Sequence, residues 1–393
     1  MRAHRLIPVL SVVGLSVSLE ACKGCRDDGI TPIVEEPEDP HDIGQYLSMG
    51  VYDGQPAVAY YDRTSGGLAF SLGEIQGESV TWTEERVDGY PDANGLDAGD
   101  VGKYTSMQID GDTIWVSYYD VSNGRLFYAR RNGKDDWETG VADTGSGPTP
   151  RAGLFSSMAL DSSGNPVVAH FDQGKGQLRV ARWSGSSFTG SVVDEGEGWE
   201  PADTAVNLDA KDPEVGKYAK LVIVGGTEYL AYYDGALGNL KLATGSGGGW
   251  DIEVVDDGWD EATGEEWDVG QWPAILVDGD ELVIAYQDVT NYDLRVARGT
   301  PGGTWTVEVV DDGPFTGSDA ELYMNGSYPA VVYFDGNENN IKLAINDGSS
   351  WTVDTLAGEE AALGFHNESV VIGGKRYVAC YDYSNRTIWF REL

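Results

Sequence analysis

The stretch Pro56-Ala57-Val58-Ala59-Tyr60-Tyr61-Asp62 is the first of seven similar segments in this chain of 393 residues. Each copy is a short apolar run that ends in aromatic residues and, in every case, an aspartate. The copies end at Asp62, Asp120, Asp172, Asp234, Asp288, Asp335 and Asp382. Successive aspartates lie 47 to 62 residues apart, which is the spacing of an internal structural repeat.

Each repeat reads as four short strands. The apolar run is the second strand, and it hardly alternates between apolar and polar residues, which indicates burial on both faces. A two-residue hairpin precedes it in six repeats, and Gly, Asn and Asp accept the positive φ angles that such turns need. The predicted turn pairs are Asp53-Gly54, Asp110-Gly111, Gly225-Gly226, Asp278-Gly279, Asn325-Gly326 and Gly373-Gly374. The sequence therefore predicts an all-β fold, a seven-bladed β-propeller of four-stranded antiparallel blades over residues 44–393.

The first strand of several repeats opens with a glycine followed two residues later by an aromatic residue. Gly44-Gln45-Tyr46 and Gly102-Lys103-Tyr104 open the first two repeats, and Gly216-Lys217-Tyr218 opens the fourth. The third copy carries Phe155 at the same place. The pattern supports a common register for the first strands.

The seventh repeat ends after its third strand, at Ile388–Leu393. An isolated β-prone segment, residues 30–35, precedes the first repeat and is predicted to supply the missing fourth strand and close the ring. Pro32 is acceptable in such an edge strand. The alternative is a disordered tether with an incomplete last blade. Deletion of residues 23–36 separates the two, since only closure predicts a much lower melting temperature.

The first 21 residues have the features of an export signal. Arg2 and Arg5 precede an apolar stretch, and Leu19-Glu20-Ala21-Cys22 follows it. This tetrad resembles the lipobox of bacterial lipoproteins, which implies that Cys22 is the acylated first residue of the mature chain and that residues 22–43 form a lipidated linker. The expected location is the bacterial cell envelope, anchored at the outer membrane or cell surface and not cytoplasmic; free secretion is the alternative.

The formal net charge is -39, from 65 acidic and 26 basic residues. Such a surface repels nucleic acid and anionic lipid, so neither is expected as a partner. The charge favours cations or a basic partner, or else it serves solubility. We expect a monomer.

The layout resembles bacterial exported propeller proteins built on Tyr-Tyr-Asp repeats, over residues 44–393. It resembles more loosely the fucose-specific lectin propellers and the sialidase-like propellers. These resemblances imply an exported lipoprotein with a lectin-like, carbohydrate-binding role. The repeated Asp-box of sialidases is not found in the sequence.

The seven repeated aspartates have two interpretations. A carboxylate at the end of a strand can accept hydrogen bonds from the next turn, which is a structural role. Alternatively, these aspartates bind a ligand as acceptors for sugar hydroxyls or as a ring of calcium ligands, since calcium takes six to eight oxygens. Calcium is also a candidate for the long acidic loops, where the predicted metal ligands are Asp203, Asp209, Asp260 and Glu261.

A catalytic interpretation finds little support. His170 replaces the tyrosine of other repeats and is predicted to be a core variant, whereas His366 lies at the entry to the last blade with a functional role as the lesser alternative. Likewise, Cys25 and Cys380 could pair, or Cys380 could fill a packing position. No catalytic residue is assigned. We expect a non-enzymatic envelope protein that binds a glycan, a protein or a calcium-dependent ligand through its acidic loop face. The alternatives are a structural scaffold and a carbohydrate-active enzyme, and an enzyme would be favoured by aromatic and acidic side chains lining a deep central pocket.

Overall fold

The computed structural model describes residues 41–90, 99–146, 151–196, 214–358 and 361–393. Their regular structure consists of β-strands alone. In this part of the chain there is no helix long and apolar enough to cross a membrane.

The strands form seven antiparallel sheets, one per repeat, in which sequence neighbours pair. Blade 1 contains β1 (Ile43–Tyr52), β2 (Gln55–Asp62), β3 (Gly67–Gln76) and β4 (Ser79–Asp88). Blade 2 contains β5 (Val101–Asp110), β6 (Thr113–Asp120), β7 (Arg125–Gly133) and β8 (Asp136–Asp143). Blade 3 contains β9 (Ala152–Leu160), β10 (Pro166–Asp172), β11 (Gln177–Trp183) and β12 (Phe188–Asp194). Blade 4 contains β13 (Val215–Val224), β14 (Thr227–Asp234), β15 (Asn239–Ser246) and β16 (Gly249–Asp256).

A small hairpin of β17 (Trp259–Asp260) and β18 (Glu265–Glu266) links blade 4 to blade 5. Blade 5 contains β19 (Val269–Asp278), β20 (Glu281–Asp288), β21 (Asp293–Gly299) and β22 (Thr306–Asp311). Blade 6 contains β23 (Thr316–Asn325), β24 (Tyr328–Asp335), β25 (Asn340–Asn346) and β26 (Trp351–Ala357). Blade 7 contains β27 (Phe365–Ile372), β28 (Lys375–Asp382) and β29 (Thr387–Glu392). Its predicted fourth strand, residues 30–35, lies outside the described residues.

The blades form a closed ring, so the prediction of a seven-bladed β-propeller is confirmed. The first strand of each blade contacts the first strand of the next blade, and β27 of blade 7 contacts β1 of blade 1. Seven apolar clusters fill the seven spaces between adjacent blades. The second strands supply much of this core because they are covered on both faces, as in β6, whose last seven residues are all buried. Cys380 is buried between blades 6 and 7.

Three of the predicted hairpin turns are displaced by one residue. The turns Asp53-Gly54, Gly225-Gly226 and Gly373-Gly374 stand as predicted, with positive φ at both positions. The other three turns consist of the glycine and the residue after it, at 111–112, 279–280 and 326–327. In these turns only the glycine has a positive φ, as at Gly111 (56°), which is the pattern of a II′ turn with glycine first. The prediction was wrong there because Asp110, Asp278 and Asn325 still pair within their strands.

Candidate functional site

A bulge interrupts the first strand of every blade at the same place. In β1 the pairing with β2 shifts between Gln45 and Ser48, and the corresponding shift recurs in each of the other six first strands. Bulges re-aim side chains, and here they turn the third residue of each Gly-x-x segment toward the propeller axis.

These seven residues surround the axis, and we call them the axial crown. The crown consists of Tyr46, Tyr104, Phe155, Tyr218, Trp272, Asp319 and His366. Neighbouring rings are in contact, with centroid separations of 4.2–4.7 Å from His366 through the five aromatic residues to Trp272. Asp319 occupies the remaining position, between Trp272 and His366. The crown is therefore an aromatic ring with one acidic position.

The crown residues adopt an unusual backbone conformation. Their φ angles lie between 49° and 57°, a region that residues other than glycine rarely adopt. The preceding glycine is required by close packing as well as by its φ: in blade 2, a Cβ on Gly102 would lie 2.8 Å from the Cα of Leu68. The repeat thus keeps glycine where the preceding blade approaches and leaves the crown position free to vary.

Hydrogen bonds from the next blade hold the crown backbone in place. Thr105 donates through its hydroxyl to the carbonyl of Tyr46. Ser156 donates to the carbonyl of Tyr104 at 2.6 Å, and the Nδ2 of Asn367 donates to the carbonyl of Asp319 at 2.9 Å. These contacts satisfy polar groups at the bulge and link successive blades.

Asp319 and His366 form the polar part of the crown. The Nδ1 of His366 lies 3.6 Å from Oδ1 of Asp319. Burial raises the pKa of Asp319 above its ordinary value. Burial also lowers the pKa of His366, so the imidazole is predominantly neutral near pH 7 and does not supply a full positive charge to Asp319.

A second layer of side chains lies two residues after the crown position in each first strand, and it contributes two more carboxyl groups. Glu321 and Glu368 lie in this layer with Lys220, whose Nζ is 4.0 Å from Oε1 of Glu368. Ser369 donates to Oε1 of Glu321 at 3.0 Å. Burial raises the pKa of both glutamates, and for Glu368 the pKa rises to about 8. One ammonium group thus faces two glutamates and the crown carboxyl above them.

A cavity of about 110 Å³ lies within the crown. Its wall includes Asn367 in addition to the crown side chains, Lys220 and Glu368. Asn367 is only 4% exposed, and its Oδ1 has no hydrogen-bond partner in the described part of the chain. A buried amide oxygen without a partner is costly unless a ligand or a water molecule supplies a donor. The cavity has room for a few water molecules or a small organic group.

The crown lies on the predicted loop face. Each first strand begins beside the turn between the second and third strands of the preceding blade, as shown by the 2.9 Å bond from the Val101 N–H to the Gly66 carbonyl. That end of the propeller also carries the connections between blades, including the described hairpin β17–β18.

The seven repeated aspartates lie in the turns around this face and are buried, at 0–5% exposure. Asp288, for example, accepts hydrogen bonds from the N–H groups of Thr290 and Asn291 and pairs with Arg295 at 2.6 Å. Asp382 accepts from the N–H and the side-chain amide of Asn385. The contacts match the turn-capping interpretation. The ligand role stays a prediction.

The tyrosines of the second strands are also engaged. The hydroxyls of Tyr118 and Tyr232 donate to Asp88 and Asp194 of the preceding blade, at 2.6 and 2.7 Å. His170 occupies the equivalent place in blade 3, is fully buried and lies 3.2 Å from Asp143. The prediction that His170 is a core variant of the tyrosine agrees with this position.

The predicted metal ligands do not come together where they can be described. Asp203 and Asp209 lie outside the described residues. Asp260 accepts hydrogen bonds from Ala262 and Thr263 within the β17–β18 turn, and Glu261 is exposed beside it. Within the described ranges, no group of three or more His, Cys, Asp or Glu side chains is arranged to hold a metal ion. Calcium stays a prediction, tested by comparing melting in calcium and in chelator. Cys22 also lies outside the described residues.

Sequence reasoning singled out His366, with a functional role as the lesser alternative, and it missed the crown as a set. The signal was the Gly-x-aromatic opening of repeats 1 to 4. Continued along the chain, it leads to Gly270-Gln271-Trp272, Gly317-Ser318-Asp319 and Gly364-Phe365-His366. The last two copies carry Asp319 and His366 in place of the aromatic residue, so similarity between the repeats does not reveal the complete set.

Comparisons with known proteins identify the fold and nothing narrower. No model of a known protein family matches the sequence. No curated protein matches it either. Among solved structures, a protein from Lactobacillus plantarum has a TM-score of 0.51 at 16% identity, with 80% of this chain and 84% of that chain covered. A periplasmic gluconolactonase from Pseudomonas aeruginosa has a TM-score of 0.50 at 14% identity, with coverages of 80% and 84%. The fucose-specific lectin from Aleuria aurantia has a TM-score of 0.45 at 16% identity, with coverages of 81% and 96%. At these identities the likeness to the first two structures extends to the fold alone, and a shared fold does not fix a function.

Proposed function

We propose that the protein is a binding protein of the bacterial cell envelope that takes its ligand into the axial crown. The observation that carries this proposal is the crown itself, in which five aromatic rings and one carboxyl group surround a cavity on the loop face. A concave site with aromatic walls and a few polar groups is the usual form of a small-molecule site. The binding group is small, such as one unit of a glycan or one side chain of a protein.

The architecture also supports a binding role. Side chains of the next blade donate hydrogen bonds to the backbone carbonyls of crown residues, so the cavity is formed before any ligand arrives. A preformed cavity loses little conformational entropy on binding. Loops set on a rigid scaffold around the cavity would add contacts to the rest of the ligand.

The envelope location is part of the proposal and rests on the Cys22 lipobox. Mass spectrometry of the membrane-extracted protein is expected to show an acylated N-terminal Cys22, and the Cys22→Ser variant is expected in the soluble fraction. An unmodified N-terminus beginning elsewhere contradicts the anchor.

Binding is tested with the full chain carrying Cys22→Ser, against a glycan array and a metabolite library, with calorimetry on each hit. The expected result is a ligand whose affinity falls at least tenfold in Trp272→Leu and Tyr218→Leu. Tyr328→Leu is the matched control, because Tyr328 is 44% exposed and follows the hairpin turn 326–327, at the end of the blade away from the crown. Hits that survive both crown variants, or an absence of hits, contradict the proposed site.

A second candidate is a carbohydrate-active enzyme, and Glu368 is the observation that favours it. A carboxyl group whose pKa is about 8 is protonated at neutral pH and can act as a general acid. Hydrolysis of aryl glycosides that is lost in Glu368→Gln would support this candidate. Turnover unaffected by Glu368→Gln, or no turnover, favours the binding protein.

A further inference from the structure

We propose that the ligand group bound by the axial crown is an organic ammonium cation. The aromatic rings would surround its hydrocarbon part, and Asp319 and Asn367 would accept its N–H bonds or face its charge. This inference rests on the proposed function, since it names the chemical class that the same cavity takes.

The aromatic wall is the first argument. Tyr218 and Trp272 lie with ring centroids 4.2 Å apart, and Tyr46, Tyr104 and Phe155 continue the ring. Aromatic faces attract cations, and the indole ring of tryptophan attracts them most strongly. A cation enclosed by several rings adds these contributions while its methyl or methylene groups are removed from water.

The charge balance is the second argument. Asp319, Glu321 and Glu368 lie in the two layers around the cavity, and Lys220 is the basic side chain described between them. Arg376 donates to the hydroxyl of Ser369 at 3.0 Å, and Ser369 in turn donates to Glu321. Buried carboxyl groups without enough counter-charge either hold protons or accept a cation. The site therefore lacks positive charge, which a bound ammonium group supplies.

The acceptor atoms are the third argument. The Oδ1 of Asn367 is buried, belongs to a residue of the cavity wall, and has no partner among the described residues. Its amide nitrogen already donates to two backbone carbonyls, so the orientation of the side chain is fixed with the oxygen as the free atom. An ammonium N–H is a donor that satisfies this oxygen.

A neutral sugar fits these observations less well. The hydroxyls of Thr105 and Ser156 at the cavity are committed to the carbonyls of the preceding blade, and Tyr46 and Tyr104 bond to one another. A sugar would also leave the excess of carboxyl groups without a counter-charge. The net charge of -39 further favours the approach of cations.

The test uses the full chain with Cys22→Ser and calorimetric titration at pH 8. Trimethylammonium is compared with tert-butanol, a neutral molecule of similar shape, and with glucose. We expect trimethylammonium to bind at least tenfold more tightly than either. We expect Asp319→Asn to weaken it at least tenfold, whereas Asp251→Asn, the same change on an exposed outer strand, alters the affinity less than twofold. Trp272→Leu is expected to weaken it tenfold or more.

A pH series sharpens the test. Tetramethylammonium keeps its charge at every pH, so its affinity reports only the protein. Glu368 lies with Glu321 and Lys220 in the second layer, and Asp319 and His366 lie in the crown above them. A bound cation favours the ionised carboxyl groups, so binding releases protons, and affinity should rise several-fold from pH 6 to pH 8. Titration with N-acetyl-lysine methylamide then shows whether the bound ammonium group can belong to a lysine side chain as well as to a free amine.

The outcomes separate the two proposals. If glucose or tert-butanol binds as tightly as trimethylammonium and Trp272→Leu abolishes that binding, the binding site stands and the ammonium inference is overturned. If trimethylammonium binds but Trp272→Leu and Asp319→Asn have no effect, both are overturned. An affinity for tetramethylammonium that does not change with pH also counts against the inference.

Discussion

The protein contains two rings of side chains that differ in how closely they follow the repeat. The turn aspartates, from Asp62 to Asp382, are identical in all seven blades, and all are buried and bonded within their turns. The axial crown has five aromatic residues, one aspartate and one histidine in seven equivalent positions. Both rings lie near the same face. The turn aspartates accept hydrogen bonds within their own turns, whereas the residues of the axial crown border a cavity.

The difference shows where the repeat allows function. A residue that stabilises a turn within its own blade has the same structural role in all seven blades, so the same residue type recurs. The seven positions that face the axis line one shared cavity, so their side chains can differ from blade to blade and together form a single asymmetric site. Asp319 is the clearest case, because it has the same backbone conformation as Tyr46 and a very different role for its side chain.

The largest expected effect comes from breaking a turn aspartate that also forms a buried ion pair. Asp288→Ala removes the carboxylate that accepts hydrogen bonds from the backbone N–H groups of Thr290 and Asn291, and it leaves Arg295 without the carboxylate 2.6 Å away. Breaking a buried pair costs about 3–5 kcal/mol. The free energy of unfolding, measured in guanidinium chloride, should fall by this amount.

Asp382→Ala is the matched control for that experiment. Asp382 has comparable turn bonds to Asn385, and the described residues include no ion pair to it. Its loss should cost about 1–3 kcal/mol, as for a buried group left without its partner. Equal costs for the two variants would mean that Arg295 adds nothing.

Asp143→Asn should have the next largest effect, with a pH dependence. Asp143 accepts from Arg179 at 3.0 Å and lies 3.2 Å from Nε2 of His170, and these partners lower its pKa despite burial. The stability that it contributes is present above its unfolded pKa, near 3.8, and is lost as the pH falls through the lower folded value. The variant should be about 2–4 kcal/mol less stable at pH 7. The deficit should narrow below pH 3.8, and a deficit independent of pH would contradict the assignment.

Glu368→Gln should act in the opposite direction. Because burial raises the folded pKa of Glu368 to about 8, its contribution to stability is fully present below the unfolded pKa near 4.5 and is lost as the pH rises toward 8. The uncharged glutamine avoids this loss. We expect the variant to exceed the wild type by about 1–3 kcal/mol at pH 8 and to match it near pH 4.5. Thermal melting across this pH range measures the gap, and a destabilised variant at pH 8 would show that Lys220 compensates the charge.

The same contrast explains how far sequence reasoning could reach. The seven-fold repeat, the burial of the second strands and three of the six predicted hairpin turns are local patterns that recur, so residues such as Asp62 and Gly54 predict them. The crown depends on a bulge that brings residues from seven distant segments to one axis, and no local pattern marks Asp319 as a partner of Trp272. Three turns were predicted one residue too early because each glycine can be the first or the second residue of its turn. Only the strand pairing of Asp110, Asp278 and Asn325 decides between the two positions.

The smallest effect, and the finest comparison of charge with aromatic surface, is expected from His366→Phe. Phe155 adopts a φ of 54° in the crown, against 57° at His366, so phenylalanine is compatible with this backbone. His366 is neutral near pH 7 and packs 4.7 Å from Tyr46, a contact that a phenyl ring preserves. The free energy of unfolding should change by less than about 0.5–1 kcal/mol. Tetramethylammonium affinity should stay within threefold, because the sixth aromatic ring offsets the lost imidazole while Asp319 remains. A tenfold loss in calorimetry would instead assign His366 a direct polar role at the ligand.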